Sequence, residues 1–332
     1  MVDIAMRPRR IRSGRRIVLR RTIFATHAMR QKGETLELET NVREGTVVTF
    51  AGGSLCEEAT VTFATPRDGG WLVLVDRSPF HPESLSWPDQ PGDHGTLTFP
   101  GGEPHAIVDC LTGLVDPDRG ILLTDAEAIA ASRSGASLQA VVLHVVRSEV
   151  DMGNVVGQRA RLDVATDRRA DLSLQHTGVH VAALTLNRCA DRFWTKDKPE
   201  RDGLGFANLD KAAVTRSSID TERSVDTYRI GKSLRKKGFD REAFLSALPD
   251  VEDAMNSHLR GTWLGASTPA RVSPPEGRLD GRRIWSTTLD GIEISIPCGG
   301  THIDDLSRIA EISVELEPIE DGFMLTTRTR GR

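Results

Sequence analysis

Leu172-Ser-Leu-Gln-His-Thr-Gly-Val-His-Val-Ala-Ala-Leu184 has the periodicity of an amphipathic helix. Leu172, Gln175, His176, Val179, His180, Ala183 and Leu184 recur at steps of three and four, which puts them on one side. Residues i and i+4 project from one helix face, so His176 and His180 can reach a single point. Histidines four apart are also common on half-exposed helices. The pair gains meaning from Cys298-Gly-Gly-Thr-His302, which follows strand-like text and Pro297. Two glycines let that backbone fold tightly enough to bring a thiolate and an imidazole together. The two segments offer three nitrogens and one sulfur, a donor set suited to zinc. The expectation is one Zn2+ per chain, held by His176, His180, Cys298 and His302. His27, His81, His94, His105, His144 and His258 lack such spacing and read as surface or ordinary packing residues.

Outward from the helix the text changes character near Gly157. Upstream, from about 45 to 160, Thr46-Val-Val-Thr-Phe50, Ala59-Thr-Val-Thr-Phe63, Trp71-Leu-Val-Leu-Val75 and Ala140-Val-Val-Leu-His-Val-Val146 are short β-branched runs. Gly52-Gly53, Asp68-Gly-Gly70 and Pro91-Gly-Asp93 punctuate them, which favours a small β-barrel over a helical bundle. Asp125 to Arg133 is the one short helix expected there. Downstream, a helical region from about Asp240 to Leu259 carries the apolar stripe Phe244, Leu248, Val251, Met255 and Leu259, with Pro249 starting a new turn or kinking it. Strands resume at 283–285, 292–294, 310–316 and 322–326. Separate strands mixed with helices make residues 161–328 an α+β domain. There is no internal repeat.

The bulk numbers fit this division. A chain of 332 residues suggests two domains, and 38% hydrophobic with 27% charged residues is an ordinary globular balance. No apolar run approaches the roughly 18 to 20 residues that span a bilayer, so no membrane partner is expected. A net charge of −4 argues against a surface coated in positive charge and leaves room for a local basic groove. Cys56, Cys110, Cys189 and Cys298 show no CxxC spacing, which points to a reducing, cytoplasmic setting. Aromatic residues at 5% are too few for reading single strands by stacking. Residues 1–44 stand apart: eight arginines and no acid lie between Arg7 and Arg21, so this tail is expected to be disordered in isolation. A nucleic-acid-binding arm, a transit peptide, and a start placed upstream of Met29 all fit it.

An HxxxH helix followed more than a hundred residues later by CGGTH resembles the editing domain of alanyl-tRNA synthetase and its free-standing relatives. Gly157-Gln-Arg-Ala-Arg-Leu-Asp163 with Arg168-Arg169 resembles that family's approach to HxxxH. Val75-Asp-Arg-Ser-Pro-Phe-His-Pro-Glu83 resembles the approach to its glycine-rich loop, and Glu252 to Asn256 its helix bearing a Glu and an Asn. The resemblance covers roughly residues 45 to 325. It implies a small N-terminal β-barrel followed by a two-layer α+β editing domain of the alanyl/threonyl-tRNA synthetase type. It also implies an aminoacyl-tRNA deacylase, acting in trans on mischarged Ser-, Gly- or Ala-tRNA with a zinc-activated water. Four protein ligands would close a tetrahedral site, whereas catalysis needs an open position. Either one ligand binds loosely, His302 being the candidate, or the site expands to five. Gln175 and Asp171 flank the helix as candidate catalytic groups.

The chain departs from the family at three places. Where the family loop has three glycines, then Gln-Pro and an Asp, this chain reads Pro82-Glu-Ser-Leu-Ser-Trp-Pro-Asp-Gln-Pro-Gly-Asp93; Gln90, Pro91 and Asp93 survive, and Trp87 would fill space that glycines leave open. The stretch from Phe193 to Ser218 does not align, and Thr215, Ser217 and Ser218 are its candidates for reading the amino acid. After CGGTH, Ile303-Asp-Asp-Leu-Ser-Arg-Ile309 lacks the usual Thr-Gly-Glu. Lys232, Arg235, Lys236 and Lys237 read either as a grip on tRNA phosphates or as a solvated helix end. Gly231-Lys-Ser233 is not a P-loop, because Asp226 stands where its first glycine belongs. Two rival readings share these residues: a zinc hydrolase of a small ester or amide, and a non-catalytic tRNA-binding module with structural zinc. No protein partner is inferred.

Overall fold

The structure, a computed structural model, describes residues 37–132, 137–196, 200–261, 263 and 266–332. The arginine-rich stretch, His27, Met29 and Arg133 lie outside them. The described part of the upstream half contains β1 (Glu37–Glu39), β2 (Val47–Val48), β3 (Cys56–Arg67), β4 (Gly70–Val75), β5 (Arg77–Ser78), β6 (Gly95–Thr98), β7 (His105–Asp116), β8 (Ile121–Leu123), α1 (Asp125–Ser132), β9 (Gln139–Arg147) and β10 (Arg159–Val164). Six of these strands pair in a circuit, each antiparallel to the next. The order is β7, β6, β10, β3, β4, β9 and back to β7.

Ala59, Val61, Val73, Val75, Leu97, Ile107, Val142, Val146, Ala160 and Leu162 from the circuit bury into one cluster with Phe50, Phe80 and Met152. The alternate residues Leu72, Leu74, Val141 and Leu143 pack into a second cluster with Val115 and Leu122. Strands β4 and β9 are thus buried on both faces, which is why their text runs apolar without alternation. Each such side chain contributes about 1.5–3 kcal/mol of burial. The expected strand Thr46–Phe50 is shorter than its text: only Val47 and Val48 pair, and Phe50–Gly52 turns as a 3-10 helix closed by Gly53 at φ 84°.

The second half opens with the long helix α2 (Thr166–Ala190), followed by α3 (Leu209–Ala213), β11 (Val214–Ile219), β12 (Ser224–Arg229), α4 (Lys232–Lys236), α5 (Arg241–Ser246) and α6 (Leu248–Gly261). It ends in β13 (Arg271–Ser273), β14 (Gly277–Arg278), β15 (Ile284–Leu289), β16 (Ile292–Pro297), β17 (Ile309–Ile319) and β18 (Gly322–Gly331). An antiparallel sheet, β11-β12-β18-β17, carries α2 on one face. At Gly178 the helix comes so close that a Cβ would overlap the Thr329 hydroxyl. The stripe Phe244, Leu248, Val251, Met255 and Leu259 is buried, and the helix breaks at Ala247, just ahead of Pro249. Helix α6 also covers the edge strand β17. Asn256 accepts a hydrogen bond from Val314 N (2.9 Å) and donates to its carbonyl (2.9 Å), and Glu252 accepts from Leu316 N (2.7 Å). These are orphan edge groups that would otherwise invite another strand.

Two of the seams between the halves lie away from the His/Cys cluster. Asp93 and Arg169 form a buried ion pair between the loop before β6 and α2, with Arg169 also donating to Pro79 O at 2.8 Å. Strand β14 leaves its own half and pairs antiparallel with β2, which in turn runs parallel to β5. The Arg283 guanidinium, over the Phe50 ring at 5.6 Å, donates to carbonyls around β14, including that of Arg278 at 2.9 Å. No helix among the described residues is long and apolar enough to cross a membrane.

Candidate metal centre

Helix α2 and the loop after β16 converge as their spacing required. One ligand atom each from His176, His180, Cys298 and His302 lies within 4.8 Å of the others. Cys298 Sγ is 3.4 Å from His176 Nε2 and 3.3 Å from His302 Nε2. Donors around one zinc, at Zn–N near 2.0–2.1 Å and Zn–S near 2.3 Å, would stand about 3.5 Å apart, so the set has the right size.

Neighbouring residues decide which nitrogens point inward. Gln90 Oε1 lies 2.7 Å from His176 Nδ1 and also accepts from Thr301 N at 3.2 Å, so Nδ1 carries the proton and Nε2 the lone pair. Thr177 spends its hydroxyl hydrogen on Ser173 O at 2.8 Å, and therefore accepts from His302 Nδ1 at 3.2 Å. His302 Nε2 is again a lone pair. His180 Nε2 is buried with no hydrogen-bond partner among the described residues. A single thiol proton cannot serve three converging nitrogens, and their mutual repulsion favours a cation between them. Gly300 is required for this approach, since a Cβ there would overlap the His176 ring.

Burial lowers His176 and His180 to about 3, with neighbouring histidines adding to the effect, and lowers His302 as well. Neutral imidazoles are the metal-binding form. Burial pushes the Cys298 thiol up to about 12, so a metal ion would have to displace its proton. His180, Cys298 and His302 nonetheless keep partial exposure. Trp285 of β15 lies against His180 and His302, with ring centroids at 5.1 and 5.5 Å.

The other candidates fare unequally. Gln175 bonds the Thr329 backbone in both directions, at 2.8 and 3.0 Å, and clamps α2 to β18. Asp171 is exposed on α2. Trp87 is 40% exposed, and from its loop it is Asp89 that faces the histidines, with Oδ2 3.8 Å from His176 Nε2. Burial raises the Asp89 carboxyl. Asp89 lies in the loop that departs from the resembling family, directly before Gln90, and a carboxylate at that place was the signal that could have found it. On β11, Ser217 points inward while Thr215 and Ser218 are exposed, Thr215 donating to Thr227 O at 3.0 Å. Lys232, Arg235, Lys236 and Lys237 are all exposed. All but Lys236 line an open cleft of about 670 Å³ together with Thr215, Arg229 and Arg241.

No protein-family model matches the chain. It is 24% identical over 265 residues to the alanine–tRNA ligase of Caldivirga maquilingensis, covering 79% of this chain and 24% of that enzyme. It is 21% identical over 267 residues to the alanine–tRNA ligase of Methanobrevibacter smithii, covering 80% and 24%. The chain therefore spans about a quarter of the length of these curated relatives. About four-fifths of it is alanyl-tRNA-synthetase-like, and the chain has a His/Cys cluster that could hold one metal ion.

Proposed function

We propose that the chain is an aminoacyl-tRNA deacylase, a zinc-dependent hydrolase acting in trans on the ester between a small amino acid and the 3′ end of a tRNA. The observation that carries this reading is the convergence of three imidazole nitrogens on Cys298 Sγ, in a chain similar to part of two alanine–tRNA ligases. On this reading the six-strand circuit is the small barrel, within 45–160, and 161–328 is the deacylase domain. The site works where tRNA is charged, in the cytoplasm.

Zinc, when bound, would lower the pKa of a water and polarise the ester carbonyl. The chain's own residues do the rest. Gln90 and Thr177 orient His176 and His302 with their Nε2 atoms inward, an outer-layer role that tunes ligand basicity. Trp285 excludes water from the side of His180 and His302. Asp89 Oδ2 stands where it can accept a hydrogen bond from the attacking water. Lys232, Arg235 and Lys237 meet tRNA phosphates along their cleft, with Lys236 beside it, so activity should fall steeply as salt rises.

The test is release of labelled amino acid from Ser-, Ala- and Gly-charged tRNA by zinc-loaded protein, with Phe-charged tRNA as control. Small aminoacyl groups are expected to be released and the phenylalanyl ester spared. Cleavage of a small ester with every charged tRNA left intact would replace the tRNA reading with that of a small-ester hydrolase.

A further inference from the structure

The sheet face beneath α2 changes character along its length. Strand alternation puts Ser224, Asp226 and Tyr228 of β12 beside Phe323, Leu325 and Thr327 of β18, all buried. One end is apolar: Tyr228 stacks on Phe323 with centroids 4.7 Å apart. The other end is built of hydroxyls and a carboxyl. Ser217 stands opposite Asp226 across β11 and β12, and Ser224 opposite Thr327 across β12 and β18. Two residues further along β18, Thr329 holds Gln175, the neighbour of His176. Ile219 N, two residues on from Ser217, bonds Asp89 O at 2.8 Å. This polar end is therefore tied to both sides of the His/Cys cluster.

Its hydroxyls lack well-placed partners. Ser217 Oγ, Ser224 Oγ and Thr327 Oγ1 are buried and have no hydrogen-bond partner among the described residues. Three orphan hydroxyls in one patch is a costly arrangement, and native proteins keep such groups where something else binds. Asp226 sits among them. Burial pushes its carboxyl up to about 7; the Asp210 and Asp89 carboxyls add to the rise, while the Ser217 and Ser224 hydroxyls stand near enough to oppose it. A buried carboxylate set among hydroxyl oxygens is the complement of a compact cation with several N–H groups.

We propose that Asp226, with Ser217, Ser224 and Thr327 around it, binds the α-ammonium group of the aminoacyl substrate. This rests on the deacylase reading and assigns a part of the substrate that the metal ligands do not touch. The ammonium offers three hydrogens, one for the carboxylate and two for hydroxyl oxygens, and its charge offsets that of Asp226. Asp89, on the near side, extends the negative field toward the ester. An aminoacyl ester would thus be distinguished from one lacking the α-nitrogen.

The test compares two stable ligands for the zinc-loaded chain: serine joined by an amide to 3′-amino-3′-deoxyadenosine, and its counterpart with the α-nitrogen replaced by hydrogen. Calorimetry should show the wild type preferring the ammonium ligand by about tenfold or more. Asp226→Asn should bring the ratio to about twofold or less, with zinc content unchanged. Ser224→Ala should lower it partway and serves if Asp226→Asn does not fold. Equal affinities in the wild type, or an unchanged ratio in Asp226→Asn, would overturn the proposal. If the wild type deacylates tRNA yet shows no preference, the ammonium site is wrong and the deacylase reading stands. If it neither deacylates nor binds either ligand, the deacylase reading fails and takes the site with it.

Discussion

His144, inside the circuit of strands, and His180, on α2, are both buried deeply enough that desolvation lowers their imidazoles, to about 4 and about 3. Around His144 every polar atom is matched. Nδ1 donates to Val73 O at 3.1 Å, Nε2 accepts from Ser78 Oγ at 2.9 Å, and Ser78 Oγ accepts from Phe80 N at 3.1 Å. At His180, Nε2 meets no partner among the described residues and faces a thiol and two further imidazoles. The same residue type under the same desolvation thus does two jobs. A buried imidazole with both nitrogens bonded fixes a fold, whereas one whose lone pair converges with others is built around something added.

The largest expected effect separates these two histidines. His180→Ala should remove zinc from purified protein and reduce amino-acid release to background. His144→Ala should keep zinc near one equivalent while costing on the order of 2–4 kcal/mol in a denaturant melt. Metal loss in His144→Ala, or full occupancy in His180→Ala, would break the contrast. Gly300→Ala should also depress zinc content, since the added methyl takes the space of the His176 ring; full occupancy would mean that the loop can shift aside.

A third buried group sharpens the contrast by pH. The folded protein holds the Asp226 proton more tightly than the unfolded chain, because its carboxyl is raised from 3.8 to about 7. Wild-type stability relative to Asp226→Asn is therefore intact below pH 4 and declines as pH rises from 4 to 7, reaching a deficit of at most about 4 kcal/mol above that. Asp210 and Asp89 are the charged groups facing it. Urea melts of both proteins at pH 4.5 and 8 check this, and an equal difference at the two values would show that the carboxyl is hydrated. The smallest effect belongs to orientation: Gln90→Ala should weaken zinc affinity about 10- to 100-fold by freeing His176 Nδ1, read by competition with a chelator. An unchanged affinity would mean that packing alone sets the ring.

The His/Cys cluster was legible because two local spacings encode it. His176 and His180 share a helix face, and Gly299-Gly300 lets Cys298 and His302 turn inward. The buried stripe of α5 and α6 was legible for the same reason, a period that needs no knowledge of partners. What escaped depends on distant pairing. Thr46–Phe50 reads as a full strand, yet Val47–Val48 finds its partners at 77–78 and 277–278, and Gly52-Gly53 ends the run. Asp89 was hidden beside Trp87, a larger departure that faces solvent. Asp226 was hidden because Ser-Val-Asp-Thr-Tyr-Arg229 carries no motif. Its shared two-residue register with buried Tyr228 was the available sign that the carboxyl points inward.

The pairing of β14 with β2 sets an order on how the chain can be made. A ribosome that has released Val48 must add more than two hundred further residues before Gly277 and Arg278 appear, which at 5–20 residues per second takes roughly ten to fifty seconds. During that interval the circuit of strands can close, but β2 presents an open flank, and Phe50 lacks the Arg283 guanidinium that will cover it. The arrival of β14 and Arg283 is followed, fifteen residues after Arg283, by Cys298, whose N–H bonds the Arg283 carbonyl at 3.1 Å. Sealing the early half and delivering the Cys298 thiol are therefore nearly one event, so a nascent chain gains that sulfur only once its first half has been capped.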